Sequence, residues 1–135
     1  MNGDENIPNS SPAGPIPDVD TQFYWDGLSS ERLLIQECTN CGQRRFPPMP
    51  VCPYCAVAAA VICEATAGVI YSWIIVHRAF QAAFASDVPY TIATIDLDGG
   101  GRIVSRLDSD QIPRPGLRVL PYFVHHDHWS EVRFR

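Results

Sequence analysis

Four cysteines constrain this chain more than any other feature of it. They stand as Cys38-Thr39-Asn40-Cys41 and Cys52-Pro53-Tyr54-Cys55, two C-x-x-C pairs separated by ten residues. A C-x-x-C segment folds into a tight knuckle that presents two thiolates on one side. Two knuckles brought together by a hairpin complete a tetrahedral four-sulfur shell, the donor set that suits zinc or a single iron. The expectation is one structural zinc ion on Cys38, Cys41, Cys52 and Cys55. Gly42 follows the first pair and permits the positive φ that a knuckle often needs. Ala56 follows the second pair and lacks that freedom. A module of this size has little core of its own, so bound metal supplies much of its folding free energy.

Two rival readings of the cysteines carry less weight. Cys52-Pro53-Tyr54-Cys55 alone has the form of a redox dithiol, but such a motif follows a strand and opens a helix in a βαβ unit. Here it follows Pro47-Pro48-Met49-Pro50, with a second pair just upstream. Disulfides are disfavoured by compartment. The start Met1-Asn2-Gly3-Asp4-Glu5 has neither the positive charge nor the apolar run of a secretory signal. The longest apolar runs, Ala56 to Cys63 and Val69 to Val76, are too short to span a bilayer. The chain therefore reads as soluble and cytoplasmic, with no membrane partner, where thiols stay reduced. The odd cysteine, Cys63, reads as a semi-buried thiol with no special role.

Charge decides between partners. The net charge is -5, and every basic residue is an arginine. Residues 1–29 hold Asp4, Glu5, Asp18, Asp20 and Asp26 and no base; beyond them, acids and arginines cancel. No basic field exists to attract a polyanion. This weighs against nucleic acid, despite aromatics in the second half that could stack on bases. A hydrophobic content of 46% is ordinary for a globular chain.

The pattern divides the chain into four parts. Residues 1–19 read as a disordered acidic tail rich in Pro and Ser. Residues 20–30 read as a helix capped by Asp20 or Thr21 and carrying Phe23, Tyr24, Trp25 and Leu28. Three adjacent aromatics cannot share one helix face, so this element is buried all round or docks on a partner. Residues 31–66 read as the metal ribbon, with strands at Leu33 to Ile35, Arg44 to Phe46 and Val61 to Thr66. Residues 67–135 read as β. Strands are predicted from Val69 to His77, Pro89 to Leu97, Arg102 to Arg106, Leu117 to about His125, and Glu131 to Arg135, with one or two helical turns between Ala79 and Ala85. The fold class is mainly β: a helix, a ribbon, then a five-stranded OB-fold barrel. Period-two alternation places Tyr71, Trp73, Ile75 and His77 on one face. His125, His126 and His128 read as solvated imidazoles at a hairpin tip. No serine triad, phosphate loop or dinucleotide fingerprint is present.

An ordered series of short motifs resembles a known family. Phe23-Tyr24-Trp25-Asp26-Gly27-Leu28, then Leu33-Leu34-Ile35-Gln36-Glu37-Cys38-Thr39-Asn40-Cys41-Gly42, then Arg45-Phe46-Pro47-Pro48 and Cys52-Pro53-Tyr54-Cys55, is similar to the opening of the acyl-CoA-associated zinc-ribbon/OB-fold family. Gly68 to Arg78, Pro89-Tyr90, Ile95-Asp96-Leu97 and Gly116-Leu117-Arg118-Val119 continue the resemblance, which covers about residues 21–124. Ala56 and the alanines up to Ala60 depart from it, and the histidine-rich end lies outside it. The resemblance implies a rubredoxin-like zinc ribbon followed by an OB barrel. It also implies a non-catalytic accessory subunit of a thiolase-superfamily enzyme, in a hetero-oligomer that shares the partner's acyl-CoA substrate. Such enzymes include acyltransferases and retro-aldolases of steroid side-chain CoA esters. Phe23, Tyr24, Trp25, His77, Arg78, Phe84 and Tyr90 are the candidate contacts to CoA or partner. The alternatives are a single-stranded nucleic-acid module and a free-standing acyl-CoA-binding protein.

Overall fold

The computed structural model describes residues 12–135, so the expectation of a disordered tail falls mostly on residues outside it. From Pro12 the chain runs without regular structure to Pro17 and passes Trp129, whose indole N–H donates to the Pro12 carbonyl (3.2 Å).

Helix α1 spans Gln22–Ser29. Thr21, one of the two expected caps, is the N-cap, but its side chain does not cap the helix amides and Asp18 organises the turn ahead of it. The Asp18 carboxylate accepts from the amides of Asp20 and Thr21, and Thr21 Oγ1 accepts from the Asp18 amide, all at 3.0 Å. This reciprocal pairing fixes the turn ahead of the helix, and the Asp18 carbonyl takes the first helical amide, that of Gln22 (2.9 Å). The helix buries Tyr24, Gly27 and Leu28 and lays Phe23 and Trp25 half-buried against the core. Gly27 is dictated by close approach: a Cβ there would meet the Arg32 carbonyl at 2.9 Å.

Three strands form the ribbon sheet: β1 (Leu34–Cys38) in the centre, β2 (Arg44–Arg45) and β3 (Ala60–Glu64) on either side, all antiparallel. A second sheet follows. Its strands are β4 (Gly68–Val76), β5 (Tyr90–Leu97), β6 (Arg102–Leu107), β7 (Arg118–Val119), β8 (Pro121–His125) and β9 (Ser130–Phe134), with one 3-10 turn at Ala82–Phe84. The order is β7-β4-β5-β6-β9-β8, with β6 and β9 parallel. The stretch predicted as one strand from Leu117 to about His125 is two, broken at Leu120. Pro121 has no N–H to donate, and Leu120 instead exchanges both backbone hydrogen bonds with Arg135 (2.8 and 3.0 Å). That corner draws the first and last strands together and nearly closes a six-stranded barrel, an OB fold.

The predicted shared face of Tyr71, Trp73, Ile75 and His77 does not form. The β4–β5 register shifts between Ile70 and Ser72, leaving Tyr71 as the extra residue of a bulge. Ile70 faces the core at 1% exposure, and Trp73 stands opposite the buried Ala93. Tyr71 is thrown to the outer face, where the Arg102 guanidinium lies 4.0 Å over its ring. His77 follows the last residue of β4 and is exposed.

Among the described residues one core joins helix, ribbon and barrel. Leu28 of the helix and Leu33 and Ile35 of the ribbon join Ile70, Ile95, Ile103, Leu107, Val119 and Phe134 of the barrel in a single buried cluster. Ribbon and barrel are also tied by Arg44, whose Nη1 donates to the Asp98 carbonyl (3.2 Å). Among the described residues no helix is long and apolar enough to cross a membrane.

Candidate functional site

The two knuckles are built alike. Cys38 N–H donates to Gln43 O (2.9 Å) and Gly42 N–H to Cys38 O (2.9 Å); Cys52 N–H donates to Val57 O (3.1 Å) and Ala56 N–H to Cys52 O (2.9 Å). The link between the knuckles is held by Arg45, which is 3% exposed. Its Nε donates to Gln36 Oε1 (3.1 Å) and Met49 O (3.3 Å), and Gln36 Oε1 also takes the Met49 amide (2.9 Å).

The knuckles bring all four sulfurs within 4.8 Å of one another, with Cys38–Cys55 and Cys41–Cys52 each at 3.6 Å. Four thiolates on an ion with bonds of about 2.3 Å place sulfurs about 3.8 Å apart, so this shell fits one tetrahedral metal. The electrostatics agree. The Cys41 amide lowers the Cys38 pKa to about 6. Burial disfavours the Cys52 thiolate, but the amides of Tyr54 and Cys55 outweigh it and hold that thiol below its usual value. The Gln43 amide favours the Cys41 thiolate, yet desolvation and the neighbouring sulfurs push it up to about 11. Successive like charges this close resist ionisation. A bound cation is what allows all four to deprotonate together.

Ala56 resolves the one departure from the knuckle pattern. It adopts φ 66, close to φ 77 at Gly42, and so occupies the left-handed region itself. An L-residue there costs about 1–2 kcal/mol. Ala56→Gly is therefore expected to stabilise the chain by about 0.5–1 kcal/mol after the extra entropy of glycine is counted. Gly42→Ala is expected to cost about 1 kcal/mol by the same conformational term, because a Cβ at Gly42 meets nothing within 4 Å. Chemical denaturation of the metal-loaded proteins checks both signs.

A second feature is a cavity of ≈300 Å³ between α1 and the β5–β6–β9 surface. Of the candidate contact residues, Tyr24, Trp25, Phe84 and Tyr90 line it together. Phe23 packs against the core from the helix instead. His77 and Arg78 lie beyond the end of β4 and outside the lining; the Arg78 guanidinium is 5.8 Å over the exposed Phe80 ring. Sequence reading missed Phe46, Ile92, Arg106, Trp129 and Glu131, which also line the cavity. Tyr24 meets Trp25 edge-on (4.8 Å) and Phe46 at a tilt (5.3 Å), and Trp25 meets Trp129 edge-on at 6.4 Å.

The histidine-rich end is a set of solvated imidazoles only in part: His125 and His128 are exposed, and His126 is not. The His126 side chain is 12% exposed, stacks on Trp129 (4.5 Å) and pairs with Glu131 Oε1 (2.8 Å); Arg133 Nη2 donates to the same oxygen (2.7 Å). His125 Nδ1 pairs with Ser130 Oγ (2.6 Å). His128 lies on the exposed turn. Burial would raise the Glu131 pKa, but the hydrogen bonds from Arg133 and His126 outweigh it and hold the carboxyl below the usual range. Burial, together with the Glu131 charge, pushes the Tyr24 phenol far above its ordinary value, so it stays protonated. Among the described residues the cysteine centre is the single cluster arranged as metal ligands.

A helix, a four-cysteine ribbon and a nearly closed six-strand barrel define a rubredoxin-like-ribbon/OB-fold protein. Residues 25–59 match the family described as "ChsH2, rubredoxin-like zinc ribbon domain", and residues 65–124 match "ChsH2, C-terminal OB-fold domain". The fold is similar to a chain of the Ltp2-ChsH2(DUF35) aldolase, with a TM-score of 0.77 and 31% identity, covering 90% of this chain and 98% of that one. The chain belongs to the ChsH2/DUF35 family. It is also 34% identical over 104 residues to a probable enoyl-CoA hydratase alpha subunit of Thermomonospora curvata, covering 76% of this chain and 32% of that protein. It is 29% identical over 119 residues to the 3-oxo-4,17-pregnadiene-20-carboxyl-CoA hydratase alpha subunit of Mycobacterium tuberculosis, covering 86% of this chain and 37% of that protein. The chain thus spans about a third of the length of these two curated relatives.

Proposed function

We propose that this chain is a non-catalytic accessory subunit. It docks on a thiolase-like aldolase or acyltransferase and helps form that partner's acyl-CoA site, in steroid side-chain or other acyl-CoA degradation. One structural zinc ion sits on Cys38, Cys41, Cys52 and Cys55 and fixes the helix and barrel in one orientation. The observation that carries this reading is the likeness, over nearly its full length, to a chain of the Ltp2-ChsH2(DUF35) aldolase.

The site chemistry supports it. Ser105, the one serine of the cavity wall, donates its hydroxyl to the Val132 carbonyl (2.6 Å) and is not held by a base as a serine nucleophile would be. Six arginines are neutralised in ion pairs with Glu64, Glu37, Asp96, Asp87, Asp98 and Glu131. That pairing argues against a phosphate-backbone surface. Arg78 forms no ion pair among the described residues, and with Phe23, His77 and the exposed Phe80 it is our candidate for contact with the partner or the CoA phosphates.

Co-purification tests the reading. A tagged full chain is expected to bring down a thiolase-like protein from extract of its own cells, with one zinc per chain by elemental analysis. Aldolase or acyl-transfer activity is expected to need both proteins. Recovery of the chain without any thiolase-like partner would sink the proposal.

A further inference from the structure

The aromatic cavity has a polarity that selects its occupant. Tyr24 is 7% exposed, yet its hydroxyl has no hydrogen-bond partner among the described residues. It is not sealed off in the way Arg45 Nη1 and Arg133 Nε are, since among the described residues those two are the side-chain polar atoms both enclosed and unpartnered. Once an occupant displaces water from such a hydroxyl at the wall of a cavity, an occupant that offers an acceptor is favoured and one that offers none costs free energy. An apolar side chain inserted by a protein partner would leave it unsatisfied. A small molecule with an oxygen at one end would not.

Charge narrows the class further. Glu131 lines the cavity with its carboxylate ionised and held by His126 and Arg133. Arg106, the cation of the wall, is committed to Asp87 Oδ2 (3.0 Å) and lies 4.2 Å over the Tyr90 ring. A carboxylate or phosphate would meet the Glu131 charge and find no uncommitted cation. The remaining wall is largely aromatic and aliphatic, which favours a flat apolar body. The volume of ≈300 Å³ sits at the lower end of small-molecule sites.

We propose that this cavity binds a flat, neutral, apolar molecule carrying one carbonyl oxygen, with the Tyr24 hydroxyl donating to that oxygen. The occupant in the cell is then the carbonyl-bearing acyl end of a CoA ester, with the nucleotide outside. That last step rests on the accessory-subunit reading; binding of a free ketone does not.

The test is calorimetric titration of the metal-loaded full chain with three probes of one shape: 2-acetonaphthalene, its hydrocarbon isostere 2-isopropenylnaphthalene, and the anion 2-naphthoate. The ketone and the hydrocarbon are expected to bind, and the anion at least tenfold more weakly than the ketone. Tyr24→Phe removes a hydroxyl with no internal partner, so thermal unfolding should be unchanged. It is expected to weaken the ketone about 3–10-fold, the worth of one hydrogen bond, and to leave the hydrocarbon within about twofold. Val104 lines the cavity yet is 65% exposed, so Val104→Trp can fill the space without disturbing the core; it is expected to abolish binding of both neutral probes. Failure of the ketone to bind, an equal effect of Tyr24→Phe on ketone and hydrocarbon, tighter binding of the anion, or undiminished binding to Val104→Trp each overturns the proposal. Ketone binding in a chain that captures no thiolase-like protein would keep the cavity and remove the accessory-subunit reading. Partner capture without ketone binding would do the reverse.

Discussion

Cys38→Ser is expected to yield a chain that holds no stoichiometric metal and no folded ribbon. Cys38 ends β1, is 1% exposed, and pairs through its sulfur with Cys55 at 3.6 Å, so it joins the two knuckles as well as serving as a donor. A serine hydroxyl is a poor replacement for a thiolate at a soft four-sulfur site. The ribbon has little else to hold it: β3 exposes Val61 and Ile62, and residues 51 to 59 contain no strand. Structural zinc in small ribbons contributes about 10–16 kcal/mol in apparent terms, against a net stability of about 5–15 kcal/mol for a whole domain. The loss is not confined to the ribbon, because Leu33 and Ile35 belong to the common core. Elemental analysis with a thermal melt checks this, and Cys55→Ser should behave alike. The accessory-subunit reading adds a condition: partner binding should disappear with the fold. A variant that stays folded and partner-bound yet loses turnover would assign the sulfurs a chemical role and contradict the scaffold account.

Much of this architecture is written locally. Cysteine spacing is a covalent pattern, and the strands of the barrel show their β-branched and aromatic runs residue by residue. What escapes sequence reading depends on groups meeting through space. Asp18 organises the turn that starts the helix from inside a proline-rich stretch that reads as tail. The bulge at Tyr71 inverts the face assignment of a strand whose composition is uniform, so no local signal marks it. Ala56 takes a conformation its own chemistry disfavours because the knuckle hydrogen bonds over-determine it. The histidines look like a solvated tip until β8 and β9 pair and set Glu131, Arg133 and Trp129 beside His126. The cavity is the clearest case. Six of its residues are aromatic, but the partly buried Glu131 that gives it selectivity lies in the last strand, outside the span of the family resemblance. A carboxylate between Ser130 and Val132 carries no sequence mark of facing an aromatic wall.

Phe134→Ala is expected to lower stability by about 3–5 kcal/mol, the range for deleting a fully buried aromatic ring. Phe134 is 0% exposed at the end of β9, opposite Leu107 of the parallel strand β6 and Pro121 of the antiparallel strand β8. Its carbonyl takes the Asp108 amide at 2.8 Å, so both flanking strands hold their places when the ring is gone. A site walled by paired backbone cannot collapse, which puts the cost toward the upper part of that range. Phe134→Leu keeps most of the volume and should cost about 1.5 kcal/mol or less. The informative comparison is with Cys38→Ser. Phe134 is far from the knuckles in the chain and belongs to the barrel closure, so the alanine variant should retain one metal per chain while its denaturation midpoint falls. It should also lose affinity for the neutral ketone, because β9 carries Glu131 and Val132 into the cavity wall. A variant with a reduced midpoint, full metal content and unchanged ketone affinity would show that the cavity does not depend on the closure of the barrel, and would move the ligand site away from β9.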